Sequence, residues 1–175
     1  MKRRIVICLL VLCTLLALTP VLGLVAAASE ETVVATVTVD GKTVAKADTL
    51  AKAFTTAAKR EGSTVVLQSD LVITAGYDFN GTYTFDLNGH VITAHTPLIQ
   101  TSGTVTIIDS SEAKTGAIVG IEYPALELRG TLLETPGETE GEYTYEPTGN
   151  IILKSGTFDC TNGDYAVYNN GLGIL

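Results

Sequence analysis

The chain has 175 residues, with 19 acidic side chains against 11 basic ones and a net charge of −8 at pH 7. An acidic chain of this kind is a poor nucleic-acid binder, because neutralising phosphates requires clustered lysine and arginine. Its length suits a single hydrophobic core. Nucleic acid is therefore excluded as an expected partner, and cations, basic surfaces or neutral sugars are favoured.

The first 28 residues have the organisation of an export signal. Lys2-Arg3-Arg4 precedes an apolar run from Ile5 to Leu18, and Ala26-Ala27-Ala28 supplies the small residues of a cleavage site. Residues 1–28 are therefore predicted to be a signal peptide, and the protein to be secreted or displayed at the cell surface. The alternative is an uncleaved membrane anchor, since apolar residues continue with breaks to Ala28 and a span needs about 20 of them.

Cleavage would change the composition of the mature chain. It would remove three of the 11 basic residues and no acidic one, which makes the net charge −11. Cys8 and Cys13 would leave with the signal, so Cys160 alone would remain. A single thiol cannot form an internal disulfide, and the fold must then depend on burial and backbone hydrogen bonds.

Residues 29–61 are predicted to form an N-terminal β-hairpin followed by a capping helix. Thr32 to Val39 alternates in β-branched residues, and Asp40-Gly41 then suits the positive φ values of a tight turn. A helix follows, with Asp48 as its expected N-cap and Gly62 just beyond its end. Its expected apolar face consists of Leu50, Phe54, Ala57 and Ala58.

From residue 62 onward, short strands alternate with turns, and five of them open with Gly-Thr or Gly-Ser-Thr. The glycines that open them are Gly62, Gly81, Gly103, Gly130 and Gly156, at spacings of 19, 22, 27 and 26 residues. Steps of this size are typical of coils stacked along one axis. The predicted fold class is therefore all-β, a right-handed parallel β-helix (solenoid) with an N-terminal capping helix. Its coils are predicted to occupy residues 62–175 and to be C-terminally incomplete; an all-β sandwich is the alternative.

Two sets of segments resemble known repeat proteins. The segments T-L-A-K-A-F (49–54) and G-S-T-V-V-L (62–67) are similar to the lead-in helix and first coil of pectin-lyase-like β-helix proteins. The segment F-D-L-N-G-H-V-I (85–92), with G-T-V-T-I (103–107) and S-G-T-F (155–158), resembles the coils of uncharacterised adhesin-like surface proteins of Gram-positive bacteria. This resemblance implies an architecture that occurs in polysaccharide lyases and hydrolases and also in non-catalytic adhesins and stalks.

Four acidic residues each close the apolar run of a Gly-Thr strand and form the candidate metal site: Asp86, Asp109, Glu134 and Asp159. If they stacked in one column they would repel each other, and a shared Ca²⁺ with its preference for oxygen ligands would relieve that repulsion. They lie at different distances from their glycines, so solvated or structural turn acids are the favoured interpretation. Ca²⁺ is the one cofactor predicted as a candidate.

The acidic loop from residue 134 to 149 is the candidate ligand-binding segment. It contains Glu142, Tyr143 and Tyr145, and exposed tyrosines beside carboxylates suit sugar stacking and hydroxyl recognition. A flexible acidic loop without a ligand is nevertheless the favoured interpretation. His90 and His95 are the only histidines, and with no further His or Cys to complete a zinc set they predict turn residues.

No catalytic constellation is present, and no catalytic residue is predicted. The favoured function is a non-enzymatic stalk or adhesin, with extracellular glycans, cell-surface components or Ca²⁺ as candidate ligands. Membrane contact is expected only through an uncleaved signal segment. The alternative is a polysaccharide lyase or glycoside hydrolase, for which Arg60 and Arg129 are the candidate bases; Arg129 beside Glu127 instead predicts a surface ion pair.

Overall fold

The computed structural model of the chain describes residues 32–133, 144–146 and 149–169. The described residues contain one helix, α1 (Leu50–Ala57), and no helix among them is long and apolar enough to cross a membrane. Their strands, in chain order, are β1 (Ala35–Val39), β2 (Lys42–Ala47), β3 (Ser63–Leu67), β4 (Leu71–Ile73), β5 (Tyr77–Asp78), β6 (Tyr83–Asp86), β7 (Val91–Ala94), β8 (Leu98–Gln100), β9 (Gly103–Ile108), β10 (Ala117–Gly120), β11 (Leu126–Leu128), β12 (Thr131–Leu133), β13 (Thr144–Glu146), β14 (Gly149–Leu153), β15 (Thr157–Cys160) and β16 (Val167–Asn169). The predicted signal segment, residues 1–28, lies outside the described residues.

The strands form three main sheets and one small ribbon. The first sheet has the order β14-β9-β6-β3-β1-β2, the second β15-β10-β7-β4 and the third β16-β11-β8-β5. The second and third sheets are parallel throughout. Strands β12 and β13 pair antiparallel as a separate two-stranded ribbon. Consecutive strands along the chain therefore usually belong to different sheets.

The first sheet has mixed strand orientation because of the N-terminal hairpin. Strand β1 pairs antiparallel with β2 on one side and with β3 on the other, whereas β3, β6, β9 and β14 pair in parallel. Asp40 and Gly41 form the hairpin turn with φ values of 49° and 72°, as their sequence predicts. The predicted hairpin is confirmed, and it extends the first sheet.

The N-cap of helix α1 lies one residue later than expected, at Thr49 instead of Asp48. The Thr49 side chain, and not Asp48, caps the helix by accepting a hydrogen bond from the Lys52 backbone N–H at 3.3 Å. The buried helical residues are Leu50, Ala53, Phe54 and Ala57, whereas Ala58 is exposed. The buried face of the helix therefore contains Ala53 and not, as predicted, Ala58.

The Phe54 ring anchors the helix in the core. Its centroid lies 6.1 Å from that of Phe79, 5.9 Å from Tyr83 and 5.2 Å from Phe85. All four side chains are at least 95% buried. Aromatic pairs at such distances contribute roughly 0.5–1.5 kcal/mol each beyond the burial of their area. The helix is thus an integral part of the hydrophobic core.

Alternating burial along the strands produces the rest of the core. In the first sheet, Val65, Phe85 and Ile107 are buried and occupy matching positions on β3, β6 and β9. In the third sheet, Leu98 and Leu126 occupy matching positions on β8 and β11. Each such side chain contributes about 1.5–3 kcal/mol by leaving water. Because the buried side chains of neighbouring strands are aligned, strands of only three to six residues can form a continuous core.

The predicted all-β, right-handed parallel β-helix is wrong as a fold class. The described chain is mixed α/β, with one sheet of mixed orientation, two parallel sheets and a helix that packs into the core. The five Gly-Thr runs do not stack as five equivalent coils. Those at residues 62, 81 and 103 lead into β3, β6 and β9 of the first sheet, but the run at 130 leads into the antiparallel ribbon. The run at 156 leads into β15 of the second sheet, and β14 occupies the place next to β9.

Close contact explains two of the glycines that open the first-sheet strands, Gly81 and Gly103. Gly103 has a φ of 82°, and a Cβ at this position would overlap the carbonyl group of Gly81. Gly81 has a φ of 120°, and a Cβ there would come within 2.7 Å of the Ala58 Cβ. Only glycine satisfies both the positive φ and the missing space. These two glycines therefore lie where the chain packs closely against a neighbouring segment, whereas Gly62 has open space around it.

Candidate functional site

Two of the four predicted metal-binding carboxylates lie on neighbouring turns after β6 and β9. Asp86 Oδ1 accepts hydrogen bonds from the backbone N–H groups of Asn88 and Ser110, both at 2.9 Å. The first bond closes the residue's own turn, and the second joins it to the turn that follows β9. Asp86 is only 5% exposed. Its carboxylate therefore serves as a brace between two turns.

Asp109 makes the reciprocal connection. Its Oδ1 accepts from the backbone N–H groups of Ser111 at 3.0 Å and Gly89 at 2.9 Å, and its Oδ2 accepts from Gly116 at 2.7 Å. Burial opposes ionisation, but hydrogen bonds from Ser111, Gly116 and Gly89 outweigh it and hold the pKa of Asp109 below its ordinary value. This carboxylate is a charged acceptor for three segments of backbone.

The other two predicted metal ligands do not join this pair in the described structure. Asp159 lies in β15 of the second sheet, where its Oδ1 accepts from the Cys160 backbone N–H at 2.8 Å. Glu134 lies outside the described residues. Within residues 32–133, 144–146 and 149–169, no cluster of three or more His, Cys, Asp or Glu side chains could hold a metal ion. The Ca²⁺ site stays a prediction from the sequence.

The predicted ligand-binding loop falls mostly beyond what the structure describes. Glu142 and Tyr143 lie outside the described residues. The backbone of Tyr145 belongs to β13 and pairs with that of Leu132, but its side chain lies outside the description. Sugar binding by this loop therefore stays a prediction.

His90 lies in the turn before β7 and contacts Asp70. Its Nδ1 lies 3.2 Å from Asp70 Oδ1, which also accepts from the Val91 backbone N–H at 2.9 Å. The Val91 N–H and then the His90 ring lower the pKa of Asp70 from its ordinary value. Asp70 thus closes the connection between β4 and β7, while His95 lies exposed just beyond β7.

Arg129, one of the two candidate lyase bases, forms a two-pronged ion pair with Glu127. Its Nε lies 2.5 Å from Oε1 and its Nη2 lies 2.8 Å from Oε2. The hydrogen bond to Glu127 is the main reason that the pKa of Arg129 lies above its ordinary value. The negative charge of Asp78 raises the pKa in the same direction. A guanidinium stabilised in this way is a poor base. The other candidate, Arg60, donates from Nη1 to the Thr56 carbonyl at 3.1 Å.

The sequence interpretation missed an aromatic surface beside this ion pair. Tyr165 and Tyr168 are 59% and 39% exposed, and their ring centroids lie 5.9 Å apart at 41°. Tyr168 in β16 pairs in register with Glu127 in β11, which brings the ring next to the Glu127–Arg129 pair. We call these four residues the tyrosine surface.

A weak sequence signal for this surface exists. An acidic residue followed by tyrosine precedes the third-sheet strand twice, as E-Y-P-A-L-E-L at 122–128 and D-Y-A-V-Y-N at 164–169. In both copies the apolar residue that follows, Leu126 or Val167, points inward in matching register. The residue after it therefore points to solvent, which places Glu127 and Tyr168 together.

Comparison with protein-family models, with curated proteins and with solved structures finds no match to this chain.

Proposed function

We propose that the chain is a secreted or surface-displayed, non-enzymatic module that acts as a stalk or adhesin and binds glycans through the tyrosine surface. The observation that carries the proposal is the exposed Tyr165–Tyr168 pair beside the Glu127–Arg129 fork. The export-type N-terminus predicted from the sequence supports the location.

The chemistry of the tyrosine surface suits a sugar. Two adjacent rings present apolar faces to the C–H groups of a pyranose, and the hydroxyl group at the edge of each ring can form hydrogen bonds. Arg129 has five N–H donors, of which two bond Glu127, so further donors are available for sugar hydroxyls. A few fixed polar groups around an apolar platform are typical of small-molecule recognition.

Two further observations favour binding over catalysis. Asp86 and Asp109, the most buried carboxylates described, are engaged by backbone N–H groups. Arg129 is held in its protonated state by Glu127. These groups therefore have structural roles and are poorly suited to act as general acids or bases.

A glycan array probed with the labelled full chain tests the proposal. We expect selective binding to a group of neutral or basic glycans, and the double variant Tyr165→Ala/Tyr168→Ala to weaken it by about tenfold or more, since both stacking faces are lost. Tyr165→Phe/Tyr168→Phe keeps both rings and should retain most of the affinity.

The matched control is Val72→Ser. Val72 is 68% exposed on β4 of the second sheet, so this substitution removes exposed apolar surface away from the tyrosine surface. We expect wild-type binding from it. Full affinity in the double alanine variant, equal losses in the control, or no glycan bound by the wild type would each contradict the proposal.

A further inference from the structure

The dipeptide Asn-Gly occurs four times in the chain, at 80–81, 88–89, 162–163 and 170–171. The last of these pairs lies outside the described residues. An asparagine followed by glycine is especially open to attack of the backbone on the side-chain amide, because glycine has no side chain that shields its own amide nitrogen. The three described pairs have the same local chemistry, so the fold determines which of them can react.

The pair at 80–81 is held by hydrogen bonds on both reacting groups. Asn80 Oδ1 accepts from the backbone N–H groups of Thr101 at 2.7 Å and Ser102 at 3.2 Å. The Gly81 N–H donates to the Ser102 carbonyl at 3.0 Å. The carboxamide and the amide nitrogen of this pair are therefore both engaged with the neighbouring turn.

The pair at 88–89 is held in the same way by different partners. Asn88 Nδ2 donates to the Leu67 carbonyl at 3.0 Å. The Gly89 N–H donates to Asp109 Oδ1 at 2.9 Å, and a charged acceptor makes this a strong bond. Attack of Gly89 on the side chain of Asn88 would have to break both bonds first.

The pair at 162–163 lies in the turn between β15 and β16 and lacks these restraints. Asn162 is exposed, and its backbone N–H donates to the Ile121 carbonyl at 2.9 Å. Within the part of the chain that the structure describes, neither the Asn162 carboxamide nor the Gly163 N–H has a hydrogen-bond partner. The start of the turn is thus anchored, whereas its two reacting groups are not engaged by the described residues.

Packing explains why glycine follows Asn162. A Cβ at Gly163 would lie 2.6 Å from the Cys160 Sγ and 3.1 Å from the Glu122 carbonyl oxygen. The turn therefore has no space for a side chain at this position. The residue that fits the turn is also the one that leaves its amide nitrogen open to the neighbouring carboxamide.

We propose that Asn162 is a site of spontaneous deamidation, at which the folded protein gains a negative charge as it ages. The Gly163 nitrogen gives up its proton to solvent and attacks Asn162 Cγ. The bond from Cγ to Nδ2 breaks, and Nδ2 takes a proton from solvent and leaves as ammonia, so that a succinimide ring closes. Water then opens the ring at either carbonyl and yields aspartate or isoaspartate, without oxidation or reduction.

The new charge would lie close in sequence to the tyrosine surface. Asn162 precedes Tyr165 by three residues, and the exposed Asp164 lies between them. Isoaspartate would also lengthen the backbone by one methylene group in the turn that leads into β16. The reaction requires only Asn162, Gly163 and water, so the inference does not depend on the glycan proposal.

Peptide mapping by mass spectrometry of the full chain, incubated in the folded state at neutral and mildly alkaline pH, tests the proposal. We expect Asn162 to deamidate about tenfold to a hundredfold faster than Asn80 and Asn88, where hydrogen bonds must break before the reacting groups can meet. The rate should rise with pH, because the attacking nitrogen must lose its proton, and both aspartate and isoaspartate should form. The tryptic peptide after Lys154 contains Asn162 and Asn170, so fragment ions assign the modified residue.

The same measurement in guanidinium chloride is the matched control, because unfolding removes the hydrogen bonds and the three sites should then react at similar rates. Asn162→Gln keeps the amide but needs a larger ring, so its side chain should stay intact over the same period. Circular dichroism confirms that the incubated chain remains folded. Similar rates at the three sites in the folded chain, faster reaction at Asn80 or Asn88, the same order of rates in denaturant, aspartate as the sole product, or equally fast reaction of Asn162→Gln would overturn the proposal.

Discussion

Replacement of Asp109 by alanine is expected to destabilise the protein more than any other single carboxylate change described. The substitution removes one acceptor from three backbone N–H groups, those of Gly89, Ser111 and Gly116. The side chain is 1% exposed, so water has little access to these groups in its place. Three segments of chain lose their shared partner at once.

The structure sets the size of the effect. A hydrogen bond to a charged acceptor contributes about 1.5–3 kcal/mol, and three of them would sum to about 5–9 kcal/mol. The three bonds share one carboxylate and are not additive, and relaxation would admit some water, so we expect a loss of about 3–5 kcal/mol. This is a large part of the roughly 5–15 kcal/mol by which a domain is stable.

Urea unfolding monitored by circular dichroism measures the loss. With a slope of about 1–3 kcal/mol per molar urea, the midpoint should fall by about 2 M. Asp159→Ala is the control, because Asp159 is exposed and accepts only from its neighbour Cys160; we expect a loss within about 0.5 kcal/mol. A loss below about 1 kcal/mol for Asp109→Ala, or one equal to that of Asp159→Ala, would refute the bracing role.

Three further changes test other parts of the structure. Because the pKa of Asp109 is lowered in the folded state, its ionised carboxylate should contribute its full stabilisation of the fold above about pH 5. That contribution should be lost as the pH falls below about 3.9 towards the folded-state pKa. Asp109→Asn should flatten this part of a plot of the urea midpoint against pH. Gly103→Ala should cost about 2–4 kcal/mol in urea unfolding, because a Cβ would overlap Gly81, whereas Gly41→Ala has open space and tests the positive φ alone. Phe54→Ala should cost about 3–5 kcal/mol by emptying the aromatic cluster, and a loss below about 1 kcal/mol would contradict the packing described.

Local features of the fold were predictable from the sequence because local chemistry determines them. Asp40-Gly41 specifies a tight turn by its tolerance of positive φ, and the structure has that hairpin. The helix was located by its apolar spacing, although Thr49 outcompetes Asp48 as the cap. In both segments the governing interactions lie within a few residues, which is the range that a pattern can report.

The assignment of strands to sheets could not be predicted in the same way. Every Gly-Thr strand has similar local chemistry, yet β12 pairs in a ribbon and β15 joins the second sheet. Which strand lies next to β9 depends on how far the chain travels between turns, and the segment between residues 130 and 149 lengthens that path. Strand partners are determined by long-range pairing and shared burial. A short sequence motif contains no information about either.

The same limit explains why the acidic residues were hard to assign. Asp86, Asp109 and Asp159 follow similar apolar runs, but two are buried and bonded across turns while the third is exposed on another sheet. A carboxylate's role depends on how many N–H groups the fold aims at it, and turns distant in sequence supply those groups. Asp109 receives one from 20 residues away and another from 7 residues away.

The surroundings of a charged side chain determine whether it has a structural role or is available to a ligand. Carboxylates that receive backbone N–H groups, such as Asp109, are committed to holding turns together, and recruiting them to a ligand would leave buried donors without acceptors. Glu127 instead has its charge balanced by the partly exposed side chain of Arg129, so a ligand can share that pair without disturbing the backbone. Ligand recognition is therefore expected where a charge is satisfied by another side chain. The tyrosine surface meets that condition, because the Glu127 charge in it is satisfied by Arg129.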